Sequence, residues 1–155
     1  LAAHMGLPHA FASHFAPRLL QPALQLYREL FRPSAVLHKP YVMIGVPVIA
    51  APTDEEAEYL ASSTYQRVLG ILTGQRGLLR PPVEGFLQGL PAPERAAIGD
   101  FLAMGVVGGP DTVRAGLQAL ARDTRADEFM LVSDVFDPAL RLRSLTLTAQ
   151  ATIAG

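Results

Sequence analysis

The run YVMIGVPVIAA, Tyr41 to Ala51, carries no charge and no alternation of polar and apolar residues. A strand with one wet face alternates; a continuous Val/Ile-rich run of this length is a strand covered on both faces, as in parallel sheets. The run is interrupted by Gly45 and Pro47 and falls well short of the roughly 20 apolar residues that span a bilayer. Pro47 cannot donate to a ladder, so it implies a bulge or an end beyond the paired part of the strand. The rest of the chain must supply layers for both faces.

Those layers are readable on either side. Pro8 to His14 is short, aromatic-containing and bounded by prolines, which suits a strand. Leu20, Ala23, Leu24, Tyr27, Leu30 and Phe31 recur at helical spacing, and Pro33 marks the end. Thr53-Asp54-Glu55-Glu56 is a capping box opening a helix with Ala57, Leu60, Ala61, Val68, Leu69 and Leu72 on one side. From Gly70 to Pro93 periodicity lapses into a Gly/Pro-rich loop too long for a mere connector. A short helix from Pro93 to Ala103 leads to a brief strand, Met104 to Gly108. Pro110 and Asp111 then open a helix with Val113, Leu117, Leu120 and Ala121. Asp127 to Asp134 reads as the fourth strand, and Asp137-Pro138 starts a last helix with Leu140, Leu145 and Ala149 inward.

Strand and helix thus alternate four times, which implies right-handed βαβ units and a parallel sheet. Every strand reads as doubly covered and none as an edge. The fold expected is α/β, four βα units with parallel strands forming half of a TIM-type (β/α)8 barrel, so residues 1–155 make a single partial domain. The opening LAAHMG reads as the last turn and glycine cap of a helix that starts further upstream. Ligand-binding groups belong at the carboxyl ends of the strands.

Composition narrows the partners. With 13 Lys+Arg against 14 Asp+Glu and a net charge of -1, the chain has no basic stripe for nucleic acid and no polybasic segment for a membrane surface. The absence of cysteine removes disulfides and thiolate metal sites, and a reducing, cytoplasmic setting fits. No Ser/His/Asp triad, P-loop or dinucleotide fingerprint can be assembled.

Two of the four histidines lie in GLPHAFASHF, residues 6–15, the others being His4 and His38. Strand alternation separates Ala10, Ala12 and His14 from His9, Phe11, Ser13 and Phe15. The Phe-bearing set suits the strand–helix layer, leaving Ala10 and Ala12 inward and His14 at the mouth, either as a proton-handling group or as a hydrogen-bonded core histidine. His9 and His14 diverge and no carboxylate cluster accompanies them, so no metal site is expected. Ser133 and Asp134 end the fourth strand as cavity candidates, Asp134 alternatively capping the last helix with Asp137. Gly108-Gly109 before a helix is either an anion cradle or an ordinary turn, the turn being favoured.

GLPHAFASHF, LYRELFRPS, YVMIGVPVIAAPTDEEA, VVGGPDTVRAGLQAL and ADEFMLVSDVFD, taken in this order and spacing, resemble the bacterial luciferase-like, flavin-dependent monooxygenases over nearly the whole chain. The resemblance is to the C-terminal half of their barrel. It implies an enzyme that takes reduced FMN as co-substrate from a separate flavin reductase and uses O2 to oxygenate a small organic substrate, in company with a missing N-terminal half or second chain. His14 is then the candidate catalytic residue, as donor to the flavin ring or proton shuttle, and Ala12, Ser13, Ser133 and Asp134 are candidates lining the flavin and substrate cavity. The 70–93 loop falls where the family has a mobile lid, on which Arg76 and Arg80 would meet anionic groups; the alternative is an exposed loop with solvated arginines. A non-catalytic flavin-binding or assembly protein built on a truncated barrel is the reading from a different class.

Overall fold

The computed structural model describes residues 1–153. Its elements in order are α1 (Ala2–Met5), β1 (His9–Phe11), a 3-10 turn (Pro17–Leu19), α2 (Leu20–Glu29), β2 (Val42–Ala50), α3 (Asp54–Leu72), α4 (Ala92–Phe101), β3 (Val106–Gly108), α5 (Pro110–Thr124), β4 (Glu128–Val132) and α6 (Pro138–Ile153). The strands form one four-stranded sheet in which every pairing is parallel and runs through β2. β1 lies beside Val42–Ile44, β4 beside Met43–Pro47 and β3 beside Val48–Ala50. A regular barrel pairs each strand with its neighbours in sequence; here β4 bonds β2 directly.

The unbroken apolar run is explained by two cores. Val42, Ile44, Val46, Val48 and Ala50 pack with Leu20, Leu24 and Tyr27 of α2 and with Val113 and Leu117 of α5. Ile49 and the following Ala51 pack instead against Ala57, Leu60, Ala61, Tyr65 and Val68 of α3 and Ile98 of α4. Burying a side chain such as Ile44 contributes about 1.5–3 kcal/mol, so β2 organises both layers. Pro47 is neither a bulge nor an end, because the register with β4 is unbroken through it and Val48 pairs onward with β3. The Val42 carbonyl accepts the N–H of Asp127, the residue just before β4. Alternate residues of a strand address opposite sides, so Pro47 turns its nitrogen away from β4 and the ladder loses no donor.

Several boundaries and faces differ from the sequence reading. β1 ends at Phe11, where the Ser13 and Phe15 N–H groups donate to Phe11 and Ala12 carbonyls at 2.9 and 3.0 Å and close a turn. The alternation expected through His14 therefore stops three residues early. The third and fourth strands are likewise shorter than expected, the loop spans 73–91, and β4 is not covered on both faces, Met130 being 55% exposed. Ala10 is exposed too. Leu72, at the end of α3, is exposed rather than inward.

The last helix keeps Leu140 against the core but beyond it presents a different face than expected. Leu145 and Ala149 are exposed, while Ser144, Thr148 and Ala151 are buried, because the Ser144 hydroxyl accepts the Ala50 N–H at 2.8 Å and Thr148 donates back to the Ser144 carbonyl. A buried strand donor chooses the facing residue over hydrophobicity. The start of α3 is capped as expected, the Thr53 hydroxyl accepting from the Glu56 N–H, but the Glu56 carboxylate turns to Arg143 rather than back to Thr53. Gly6 ends α1 in the left-handed conformation at φ 61°, as its cap position requires.

Candidate functional site

The turn after β1 is fastened to the middle of β2 at Gly45. Ser13 is fully buried and its hydroxyl donates to the Gly45 carbonyl. His14 lies over the same residue, so closely that a Cβ at position 45 would stand 2.4 Å from its Nδ1 and 2.9 Å from its Cε1. Because the chain has turned, Ser13 and His14 both address Gly45 instead of opposite faces. The His14 ring is half-buried beside Phe15, and its Nδ1 is buried with no hydrogen-bond partner. Ala12 is exposed.

Ser133 and Asp134 lie just past the end of β4, and the Ser133 hydroxyl is also buried without a partner. Asp134 does not cap the last helix; Asp137 alone does, accepting the Ala139 and Leu140 N–H groups at 2.8 and 3.0 Å. Asp134 instead pairs with the Arg67 guanidinium of α3, and its carbonyl accepts the Thr64 hydroxyl at 3.1 Å. Arg67 was not singled out by sequence reasoning. The signal available was that it is the one basic residue in α3, one turn beyond Thr64. Gly45 was noted only as an interruption, since nothing local says that an imidazole must lie on it.

The 73–91 loop is pinned where it returns to α3. Gln66 donates to the Pro81 carbonyl at 2.9 Å and the Val83 N–H donates to Ser62 at 2.7 Å. Between Gly74, in the left-handed region at φ 75°, and Arg80 the chain is exposed except at Leu79. Arg76 lines a pocket of about 430 Å³ with Phe15, Arg67 and Phe101, and Arg80 lines an adjoining hollow of about 230 Å³ that also touches Arg67. A third, apolar cavity of about 250 Å³ lies between Pro47, Ile49, Tyr65, Ile98 and Leu102.

Gly108-Gly109 does hold an anion, and it is the protein's own. The Gly109 N–H donates to the Asp54 carboxylate at 2.6 Å and the Thr112 hydroxyl donates at 3.1 Å, which ties the start of α3 to the start of α5. The Gly109 N–H holds the Asp54 carboxyl below its ordinary range. That cradle is therefore filled and serves the turn.

His9 is a separate case from His14. It stacks on Tyr27 at 5.1 Å, its Nε2 is buried without a partner, and burial lowers its pKa. A lowered pKa means that the folded state prefers the neutral ring, so stability is full above the ordinary value of about 6.5 and declines as pH falls below it. We expect His9→Phe, which keeps the stacked ring, to remove that part of the decline; a urea midpoint falling equally in both proteins between neutral pH and the upper fives would contradict it. Among the described residues no three His, Cys, Asp or Glu side chains converge to hold a metal, and no helix is long and apolar enough to cross a membrane.

Buried polar atoms normally find partners, so each exception calls for an explanation. Here His14 Nδ1, Ser133 Oγ and Arg67 Nε, all left unpaired, border the ends of β1 and β4 and the adjacent face of α3. They lie at the carboxyl end of a parallel α/β sheet, the end at which proteins of this class place ligand-binding groups.

Comparison with known proteins gives the family. No protein-family model matches the chain. A luciferase-like monooxygenase of Escherichia coli (strain K12) is 44% identical over 147 residues, 95% of this chain and 44% of that protein. The uncharacterized protein YvbT of Bacillus subtilis (strain 168) is 46% identical over 149 residues, 96% of this chain and 44% of YvbT. The crystal structure of apo-MsnO8 superposes with a TM-score of 0.85 at 33% identity, covering 99% of this chain and 47% of MsnO8. The chain spans about half the length of the curated relatives it matches. In sequence and fold it is similar to the luciferase-like monooxygenases and corresponds to one half of their TIM-type barrel.

Proposed function

We propose that this chain is the C-terminal half of a cytoplasmic, FMN-dependent monooxygenase, a partial domain that works with an upstream half and a flavin reductase to oxygenate a small organic substrate with O2. The observation that carries the reading is the pair of buried, unpaired polar atoms, His14 Nδ1 and Ser133 Oγ, at the ends of β1 and β4. Such atoms fit the hydrogen-bonding edge of a flavin ring. When bound, the flavin supplies the redox chemistry.

The chain's own residues do the rest. Ser13 holds the turn on Gly45 and so aims His14, whose ring nitrogen donates to the flavin or passes a proton; Ala12 leaves room beside it. Ser133 offers its hydroxyl, and Asp134 fixes Arg67 next to it. The 73–91 loop, with Arg76 and Arg80, closes over the site and keeps water out. The exposed Ala10 and Met130 lie on a sheet face that a second half would cover.

The test is flavin titration followed by fluorescence. A protein carrying both halves is expected to quench flavin fluorescence, and His14→Ala in it to slow turnover without lowering the melting temperature, since Nδ1 has no partner to lose. Unchanged turnover and flavin affinity in that variant would refute the role of His14.

A further inference from the structure

We infer that the open pocket lined by Phe15, Arg67, Ile71, Arg76, Gly77 and Phe101 binds an amphipathic organic anion: an aromatic or alkyl body bearing a carboxylate or sulfonate. The inference names the substrate class of the proposed enzyme and to that extent rests on that proposal, but the pocket argues for it directly. Its volume of about 430 Å³ suits a small molecule, and two phenylalanines and an isoleucine give it apolar walls. Two guanidinium groups line it and no carboxylate does.

Neither arginine is used up. Asp134 engages one amino group of Arg67 and fixes the side chain, while its Nε is buried with no partner. Arg76 makes no hydrogen bond or ion pair among the described residues. A buried donor left unmade is costly, and a guanidinium presents a planar fork that matches the oxygens of a carboxylate or sulfonate. Arg80 adds positive charge in the adjoining hollow, where Glu94 is the only acid in the lining. Guanidinium charge and aromatic walls in one pocket select for both parts of an amphipathic anion.

The test is calorimetric titration of the 155-residue chain with naphthoate, with the neutral naphthalenemethanol, and with inorganic phosphate as competitor. Naphthoate is expected to bind and the neutral alcohol to bind about tenfold more weakly or worse, as loss of a charged hydrogen bond implies. Arg76→Gln, an exposed change, and Phe15→Ala should each weaken naphthoate about tenfold while the melting temperature holds. Equal binding of acid and alcohol, displacement by phosphate at similar concentration, no binding of naphthoate, or indifference to Arg76→Gln would each overturn the inference. Failure of FMN to bind a protein with both halves, while naphthoate still binds this chain, would sink the flavin reading and leave this one standing.

Discussion

Gly45→Ala will unseat the turn that carries His14. The new methyl would fall 2.4 Å from His14 Nδ1 and 3.7 Å from the Ala12 Cα, so the imidazole must leave the surface of β2. The turn cannot follow freely, because Ser13 is fully buried and bonded to the Gly45 carbonyl. Overpacking of this kind costs about 1–3 kcal/mol. The expected result is a lower urea midpoint together with displaced His14 ring resonances. Adding His14→Ala should recover most of the stability, as a double-mutant cycle between two touching groups would show. A single variant with wild-type midpoint and unmoved His14 resonances would remove Gly45 as the seat of the site.

Gly108→Ala should be at least as severe. Its methyl would meet Thr112 Cγ2 at 2.5 Å, Thr112 Cβ at 2.6 Å and Asp54 Oδ1 at 2.7 Å. The Thr112 Cβ is attached to the first turn of α5, so relief requires moving the helix rather than turning a side chain. Movement of α5 breaks the two bonds from Gly109 and Thr112 to Asp54. A loss of about 2–3 kcal/mol is expected.

The same variant has a pH signature. Asp54 titrates below its ordinary range because of the Gly109 N–H. A depressed carboxyl pKa adds stability above about pH 4 that disappears as pH falls through the folded value. Gly108→Ala should abolish that acid-dependent part, so its stability should change less between pH 5 and pH 2 than that of the parent by roughly the contribution Asp54 makes. An acid limb identical in the two proteins would show that Asp54 owes nothing to the Gly108-Gly109 turn.

The order of elements was legible from residue patterns because each pattern is local. The unalternating run at 41–51 had to be a strand with a layer on each side, and it is covered by α2 and α5 on one face and α3 and α4 on the other. Thr53 and Gly6 marked helix ends through caps that depend on one or two neighbours. The site was only partly legible. The parity expected to separate His14 from His9 ends at Phe11; what lies between them is a turn closed by Ser13 and Phe15.

What the sequence determined by itself is the alternation of strand and helix, the parallel class that this implies, the doubly buried central strand and the glycine-bearing turns, because periodicity, caps and turn chemistry act within a few residues. Tertiary structure alone decided that β2 pairs with β4, that Ser144 rather than Leu145 faces inward, that Asp54 fills the anion cradle, and that Arg67 and Arg76 share a pocket with Phe15. Each of these is a contact between residues far apart in the chain, and its outcome depends on which buried donor or carboxylate finds a partner when the layers close.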